Sequence, residues 1–327
     1  MSDGGVLLDI RGLRVRFPMR GRGPVCAVNG VDLTLRKGES LGIVGESGCG
    51  KSVTFSSVMR LVQSPPAVLE GEILLDGRDV MRMSGAELRR MRGKEIAMIF
   101  QEPMTSLNPV MRVGKQIIET LRLHESLSEK QAEEKALEYF QMVEIPDARS
   151  RFWCYPHQLS GGLRQRVMIA MALICNPRVL LADEPTTALD VTIQAQILEL
   201  LGRLRRKNDM SVVLITHDLC VIAQLAERVA VFYAGRVVEE ASAGELFANP
   251  MHPYTMGLLR CVPTMRTVSR RLDMIEGNIP DPACLPAGCA FHPRCPFAAD
   301  VCREQAPEKR FFGERRFAAC HRAGEVG

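Results

Sequence analysis

Residues 45–52 read Gly45-Glu46-Ser47-Gly48-Cys49-Gly50-Lys51-Ser52, the pattern of a Walker A phosphate loop. The apolar run Leu41–Val44 precedes it and a helical pattern over 53–62 follows, which is the strand–loop–helix setting that the motif requires. Glycines let backbone N–H groups turn inward, and the helix N-terminus adds positive potential for phosphate. We therefore expect residues 45–52 to bind ATP or GTP, with Lys51 on the β- and γ-phosphates and the Ser52 hydroxyl on Mg²⁺.

The composition and charge of the chain argue against a nucleic-acid-binding protein and against a membrane-spanning one. The 327 residues are 46% hydrophobic and 24% charged, which is ordinary for a globular chain. A formal net charge of +4 is too small to indicate a nucleic-acid partner, and we expect none. The N-terminus lacks a signal-peptide layout, and the longest apolar run, Val167–Cys175, is far too short for a bilayer span. Any membrane role is therefore expected to come through partner chains.

The periodicity predicts an α/β fold. Leu7–Phe17 and Val31–Leu35 alternate like antiparallel strands, whereas helical periodicity dominates 113–143. Strands and helices alternate again from Val179 to Tyr233, which favours a mainly parallel core sheet. We expect this sheet to be accompanied by an antiparallel β subdomain and an inserted helical subdomain.

The hydrophobic run 179–182 ends in two carboxylates, Asp183 and Glu184. Downstream of a phosphate loop, this arrangement is typical of a Walker B strand. Asp183 would hold the Mg²⁺ shell, and Glu184 would orient and polarise the attacking water.

The segment Leu159-Ser160-Gly161-Gly162, followed by a helical stretch, resembles the signature motif of ABC-transporter ATPases. In that family the serine hydroxyl, the glycine amides and the helix dipole bind the γ-phosphate held by the opposing subunit. The other family elements follow in order: Gln101 matches the Q-loop, Asp190 ends the D-loop, and His217 matches the switch histidine. Phe17 stands where the family places an aromatic that stacks on adenine, although a core phenylalanine there is nearly as well supported.

Longer stretches resemble the peptide-permease ATPases, which serve dipeptide, oligopeptide and, in some branches, nickel uptake. The stretches that carry this resemblance are 100–109, 164–173, 182–190 and 249–255. It implies an ATPase domain over 1–248, with its helical subdomain at about 103–175, and a C-terminal extension over 249–327. It also implies a homologous second ATPase subunit, two transmembrane permease subunits and an extracytoplasmic peptide-binding protein. The chain would sit at the cytoplasmic face of the bacterial inner membrane.

Five of the eleven cysteines lie in the last 44 residues, within a Pro- and Arg-rich stretch. Cys289, Cys295, Cys302 and Cys320 are separated by five, six and seventeen residues, so there is no Cys-x-x-Cys knuckle. The spacing alone leaves an iron–sulfur cluster, a zinc site and unliganded thiols open. Cys284 falls outside the pattern, and His292 and His321 are expected to be packing or surface residues.

The stretch 288–296 and the pair Cys320-His321 resemble the tail of the peptide-permease ATPases, whose four cysteines bind a 4Fe–4S cluster. The resemblance implies the same cluster here. Because its ligands follow every nucleotide motif in the chain, we expect the cluster to lie remote from the ATP chemistry.

The sequence therefore predicts the ATP-hydrolysing subunit of a peptide importer. One alternative is a non-transport ABC ATPase that acts on DNA or ribosomes; the paired domains, zinc-finger insertions or long coiled coils of that class do not occur here. The other alternative is a redox protein whose cluster transfers electrons, but nothing else in the tail indicates an electron partner.

Overall fold

The computed structural model describes residues 5–19, 21, 23–101, 106–187, 189–262 and 274–325. It contains two compact units. Unit 1 comprises Met1–Arg36, Ser40–Arg82 and Leu214–Gly327, and unit 2 comprises Lys37–Glu39 and Met83–Val213. In the described residues no helix is both long and apolar enough to cross a membrane.

The strands of the described residues are numbered in chain order. They are β1 (Val6–Phe17), β2 (Val25–Arg36), β3 (Ser40–Val44), β4 (Val68–Leu75), β5 (Arg78–Asp79), β6 (Ile96–Ile99), β7 (Val179–Asp183), β8 (Ser211–Ile215), β9 (Arg228–Tyr233), β10 (Arg236–Ser242), β11 (Arg310–Gly313) and β12 (Arg316–Ala318).

The α-helices are numbered in the same way. They are α1 (Lys51–Val58), α2 (Gly85–Met91), α3 (Val113–His124), α4 (Glu129–Met142), α5 (Ala148–Arg151), α6 (Gly161–Leu173), α7 (Val191–Lys207), α8 (Leu219–Leu225), α9 (Ala243–Ala248), α10 (Pro253–Arg260) and α11 (Asp300–Glu304).

Unit 1 contains the antiparallel sheet that the sequence predicts, in the order β2-β1-β4-β5. Leu8, Ile10, Leu13 and Val15 on β1 are all buried, which gives two stretches of period-2 alternation separated by a register shift between Ile10 and Leu13. The second predicted strand is longer than expected. It begins at Val25, and its irregular pairing with β1 blurs the alternation in its first half.

The Walker A loop of unit 1 leaves a fully buried strand. All five residues of β3 are buried, and β3 pairs in parallel with β9. Beyond β9 the pairings become antiparallel: β10 pairs with both β9 and β12, and β11 pairs with β12. The sheet pairings are therefore mixed, because the C-terminal strands add antiparallel pairs beside the parallel pair, with β12 lying between β10 and β11.

Unit 2 combines a parallel strand pair, β6 with β7, with a largely helical body. Residues Val113, Ile117, Leu121, Phe140 and Phe152 lie fully buried in its apolar core. The helical pattern predicted over 113–143 is two helices, because the chain becomes extended at Glu125. The second helix, α4, starts with a capping box formed by Ser128 and Gln131.

Candidate functional site

The Walker A loop connects β3 to α1 in a conformation that only glycine tolerates at two points. Gly45 has φ 150° and Gly50 has φ 101°. A Cβ atom at these positions would stand 2.3 Å from the carbonyl oxygen of Phe232 and 2.4 Å from that of Ala27. Both distances are far below van der Waals contact. The two glycines therefore let the loop pack directly against its neighbouring backbone.

Lys51 is buried and folds back along the loop. Its Nζ donates hydrogen bonds to the carbonyl oxygens of Gly45 at 2.7 Å and Glu46 at 3.0 Å. Ser52 is exposed in the first turn of α1. Cys49 is buried beside Lys51, and this burial raises the pKa of its thiol. The structure thus places the cation, the hydroxyl and the helix N-terminus on one short segment, while the thiol stays protonated.

Glu184 follows β7 directly and has a left-handed backbone, with φ 46°. Its Oε2 accepts hydrogen bonds from Nε2 of Gln101 at 2.9 Å and from Oγ1 of Thr187 at 2.8 Å. The preceding carboxylate, Asp183, is buried at the end of the strand. The structure therefore joins the Q-loop glutamine to the Walker B glutamate, a contact between residues far apart in sequence. Thr187 is a member of this group that sequence reasoning assigned no role.

The signature segment forms the N-terminus of α6. Ser160 is the N-cap, and its Oγ accepts a hydrogen bond from the N–H of Leu163 at 3.4 Å. Gly162 is packed so closely that an added Cβ would lie 2.8 Å from Cγ2 of Ile193. Asp190 caps α7 by accepting from the N–H of the same Ile193 at 2.9 Å. Ile193 therefore links the signature helix to the D-loop cap, while Gly161 has ordinary contact with Leu189.

Two further predicted residues lie at the ends of strands in unit 1. His217 is exposed between β8 and α8, one residue before the α8 cap Asp218. Phe17 is half-buried at the last position of β1. Both positions leave the rings partly accessible, as a nucleotide-contacting role requires.

The four predicted cluster cysteines converge in the cysteine segment, which we define as residues 274–325. Cys289, Cys295, Cys302 and Cys320 all line one small cavity. The N–H of Cys289 donates to the carbonyl oxygen of Cys302 at 2.8 Å, so two of the thiol-bearing loops are tied together. Burial raises the pKa of Cys289, Cys295 and Cys320, the last to about 11. Cys284 is exposed and does not line the cavity.

Within the described ranges, no group of three or more His, Cys, Asp or Glu side chains has the spacing of a site for a single metal ion. Each of the two nearby histidines forms a hydrogen bond with a backbone carbonyl oxygen. His292 Nδ1 lies 3.0 Å from the carbonyl oxygen of Cys289, and His321 Nε2 lies 2.9 Å from the carbonyl oxygen of Gln305. This agrees with the expectation that the two histidines are packing residues.

The cysteine segment touches the Walker A loop, which the sequence did not predict. Arg294, the neighbour of Cys295, donates to both carboxylate oxygens of Glu46, at 2.7 and 3.0 Å. This contact places one residue of the cysteine segment at the Walker A loop, whereas the expectation that the cluster itself lies remote from the ATP chemistry stays a prediction. Residues that follow the motifs in sequence return to them in space, because the cysteine segment packs within unit 1. The only sequence signal was an arginine placed between two cysteines.

Comparison with known proteins assigns the chain to the same protein family as its sequence motifs do. Residues 28–187 match the family model described as ABC transporter, and residues 238–302 match the model for the C-terminal region of oligopeptide/dipeptide transporters. The chain is 48% identical to the oligopeptide transport ATP-binding protein AppD of Bacillus subtilis, over 98% of each chain. It is also 47% identical to the dipeptide transport ATP-binding protein DppD of Haemophilus influenzae, over 96% of this chain and 95% of that one. The chain belongs to this family of ABC-transporter ATP-binding proteins.

A solved structure supports the cassette fold of this ABC ATPase. It is a dimeric ATP-binding cassette in a post-hydrolysis state with ADP and Pi, at 30% identity and a TM-score of 0.65. It covers 72% of this chain and 99% of its own. The family resemblance inferred from the sequence motifs is confirmed, and the protein is an ABC-type ATPase. The C-terminal family match includes Cys289, Cys295 and Cys302 and ends before Cys320.

Proposed function

We propose that this ABC ATPase powers the import of dipeptides or oligopeptides by ATP-driven closure of a two-ATPase sandwich. The observation that carries the proposal is the pairing of Glu184 with Gln101 downstream of a complete Walker A loop. The full-length similarity to oligopeptide and dipeptide transport proteins supports peptides as the cargo.

In the proposed reaction the Walker A loop binds the triphosphate. Gly45, Glu46, Ser47, Gly48, Cys49 and Gly50 supply the backbone cradle. Lys51 exchanges its loop carbonyls for phosphate oxygens, which are stronger acceptors because they are charged. Phe17 stacks on adenine.

The oxygen donors of Ser52, Asp183 and Gln101 fit Mg²⁺, which prefers hard oxygen ligands. These residues would hold Mg²⁺, and the ion would supply positive charge to offset that of the triphosphate. Asp183 suits this role because it is a buried carboxylate at a strand end. Glu184 then orients the attacking water, and Gln101 and His217 complete the polar surroundings of the γ-phosphate.

We propose a composite site, with Ser160, Gly161, Gly162 and Asp190 serving the nucleotide of the partner ATPase. The N-terminus of α6 ends in exposed Ser160, so its hydroxyl and helix dipole are available to an approaching phosphate. The partners are a homologous second ATPase, two transmembrane permease subunits and an extracytoplasmic peptide-binding protein. The complex would hold this chain peripherally at the cytoplasmic face of the bacterial inner membrane.

We propose that residues 1–248 form the ATPase domain, with a helical subdomain at about 103–175, and that 249–327 form the C-terminal extension.

In that extension Cys289, Cys295, Cys302 and Cys320 would hold a 4Fe–4S cluster. The donor set fits, because four cysteines line one cavity and each thiolate of a cubane ligates a different iron. The cluster would cross-link loops that contain little regular structure.

The transport assignment is tested with purified components. The chain alone is expected to hydrolyse ATP slowly, and addition of the partner ATPase and membrane subunits is expected to raise the rate. Full, concentration-independent turnover by the isolated monomer would refute the composite site.

Lys51→Ala is expected to weaken nucleotide binding; unchanged affinity would refute the phosphate-loop assignment. Growth of a deletion strain on defined dipeptides and oligopeptides identifies the cargo.

The cluster is tested by iron and acid-labile sulfide analysis of anaerobically purified protein. About four of each per chain are expected for a cubane. Serine replacement of each of the four cysteines should lose the iron, whereas Cys284→Ser should retain it. Stoichiometric zinc without sulfide would replace the cluster by a zinc site.

A further inference from the structure

The contact between Arg294 and Glu46 joins residues 248 positions apart. The guanidinium donates from Nη1 and Nη2 to the two oxygens of one carboxylate, which is the bidentate geometry that only arginine provides. Only 4% of the Arg294 side chain is exposed, against 29% for Glu46. The pair is therefore shielded from solvent on the arginine side and fixes the direction of the Glu46 carboxylate.

The remaining donors of Arg294 are also engaged. Nε donates to the carbonyl oxygen of Glu276 at 2.9 Å, and Nη2 donates to that of Ile275 at 3.3 Å. The guanidinium lies 5.9 Å from the ring centroid of Tyr233. A lysine cannot reproduce this set of contacts, because its ammonium is a point donor without a planar fork.

Glu46 is held at three separate points of its structure. Its carboxylate binds Arg294, its N–H donates to the hydroxyl oxygen of Tyr254 at 2.8 Å, and its carbonyl oxygen accepts from Lys51. Two of these contacts come from residues far beyond the Walker A loop. The loop geometry therefore depends on parts of unit 1 that carry none of the nucleotide motifs.

Arg294 is also held by the cysteine loops. It ends a short 3₁₀ turn, His292–Arg294, between Cys289 and Cys295. The N–H of His292 donates to the oxygen of Cys289 at 3.0 Å, and the N–H of Cys295 donates to that of His292 at 3.3 Å. A displacement of either cysteine backbone therefore displaces the arginine.

We propose that Arg294 is a positioning residue for the Walker A loop, and that through it the state of the cysteine site sets the affinity for nucleotide. The inference rests on the proposed function, in which the loop binds phosphate. With Arg294 in place, the negative charge of Glu46 is neutralised, and its carboxylate is held against the cysteine segment. Without it, an unpaired carboxylate in the loop repels the triphosphate.

The first test measures the affinity of the full-length protein for a fluorescent ATP analogue. Arg294→Ala is expected to weaken binding about tenfold or more, and Arg294→Lys is expected to weaken it less, because the charge remains. Lys309→Ala is the matched control. It removes another ion pair between the cysteine segment and the rest of unit 1, Lys309 with Asp32 at 2.8 Å, without touching the loop. Unchanged affinity in Arg294→Ala would overturn the proposal.

A second variant separates positioning from general damage to the fold. Glu46→Gln removes the unpaired charge, so adding it to Arg294→Ala is expected to restore most of the lost affinity. Loss of packing alone would not be rescued by a change of charge. A double variant that binds as weakly as Arg294→Ala would therefore overturn the proposed electrostatic link.

In ATP hydrolysis by the assembled complex, Arg294→Ala should raise KM for ATP more than it lowers kcat.

A third experiment tests whether the state of the cysteine site affects nucleotide binding. Cys295→Ser protein that has lost its iron is expected to show weakened nucleotide binding, again relieved by Glu46→Gln. Iron-free protein that binds as tightly as wild type would overturn the link to the cysteine site. If wild type holds no iron, the proposed cluster fails while the transport assignment stands; if Lys51→Ala binds normally, the phosphate-loop assignment fails instead. The Arg294 and Glu46 variants still decide the positioning role in iron-free protein, whereas normal binding by Lys51→Ala would remove its basis.

Discussion

Two glutamates at nucleotide motifs, Glu46 and Glu184, are held in opposite ways. The partner of Glu46 is a nearly buried arginine 248 residues away in sequence. Glu184 accepts from Gln101 and Thr187, whose side chains are exposed. Exposed hydrogen bonds from neutral donors exchange with water at a lower net cost than the breaking of a largely buried arginine–carboxylate pair. The difference favours a pre-organised loop at Glu46 and a reorientable carboxylate at Glu184, which suits the roles proposed for these two residues.

The largest expected effect is on turnover at Glu184. Glu184→Gln keeps the shape but not the charge that polarises water, so ATP hydrolysis is expected to fall about 10²- to 10⁴-fold while nucleotide binding persists. The measurement uses the assembled complex with the partner's corresponding glutamate also replaced. Glu199→Gln on exposed α7 surface is the control. Wild-type turnover in the doubly substituted complex would refute the catalytic role.

The second-largest expected effect concerns a buried histidine, His252, and appears as a dependence of the free energy of unfolding on pH. His252 caps α10 by accepting from the N–H of Tyr254 at 3.0 Å, and complete burial lowers its pKa to about 4. As the pH falls from about 6.5 towards 4, the unfolded chain gains a proton that the native chain excludes. The free energy of unfolding should therefore fall, by up to about 3 kcal/mol from this group.

Urea unfolding at about pH 5 and about pH 7 measures this dependence. His252→Asn keeps an acceptor for the N–H of Tyr254 but does not titrate in this range. The variant should therefore lose less stability between the two pH values than wild type does. An identical loss in both proteins would show that His252 is not the titrating group.

A smaller effect is expected for the second anchor of Glu46. Tyr254→Phe removes the acceptor of the Glu46 N–H and should lower the free energy of unfolding by about 1–3 kcal/mol, with weaker nucleotide binding. Tyr139→Phe is matched, because its hydroxyl donates to Asn176 in unit 2 at 2.6 Å. The control should lose stability without a change in nucleotide affinity. Equal affinity losses in the two variants would contradict a specific role for Tyr254.

The smallest effect is expected at Thr187. Thr187→Ala removes one exposed hydrogen bond to Glu184, so turnover should fall roughly two- to tenfold. Thr187→Ser keeps the hydroxyl and should keep the rate. If Thr187→Ala is instead as damaging as Glu184→Gln, the carboxylate is more rigidly held than its exposed partners indicate.

Local motifs were readable from sequence because their geometry is local. The Walker A glycines, the Ser160 cap and the β7 strand each follow from residue types within a few positions. The hydrogen bond between Glu184 and Gln101 was not predicted, because the sequence motifs and the family resemblance gave each residue a separate role. Three C-terminal strands, β10, β11 and β12, were not predicted, since two are four residues or fewer and lack a clear period.

The Arg294 contact was beyond sequence reasoning for a different reason. Its residues carry no spacing signal, because the partner in the Walker A loop is set by tertiary packing alone. Position along the chain did not indicate the contact, since Arg294 follows the last motif and Glu46 lies in the first. The helix break at Glu125 was missed because the residues on either side of it have helical periodicity and no Gly or Pro separates them.

The separation between Glu46 and Arg294 has a consequence for the order in which the protein is made. On a ribosome that adds about 5–20 residues per second, the arginine follows the glutamate by roughly 12 to 50 seconds. The nascent Walker A loop lacks two of its three anchors at Glu46 until Tyr254 is synthesised, and it lacks one until Arg294 follows. A growing chain would thus complete its contacts at Glu46 only after Arg294 has left the ribosome.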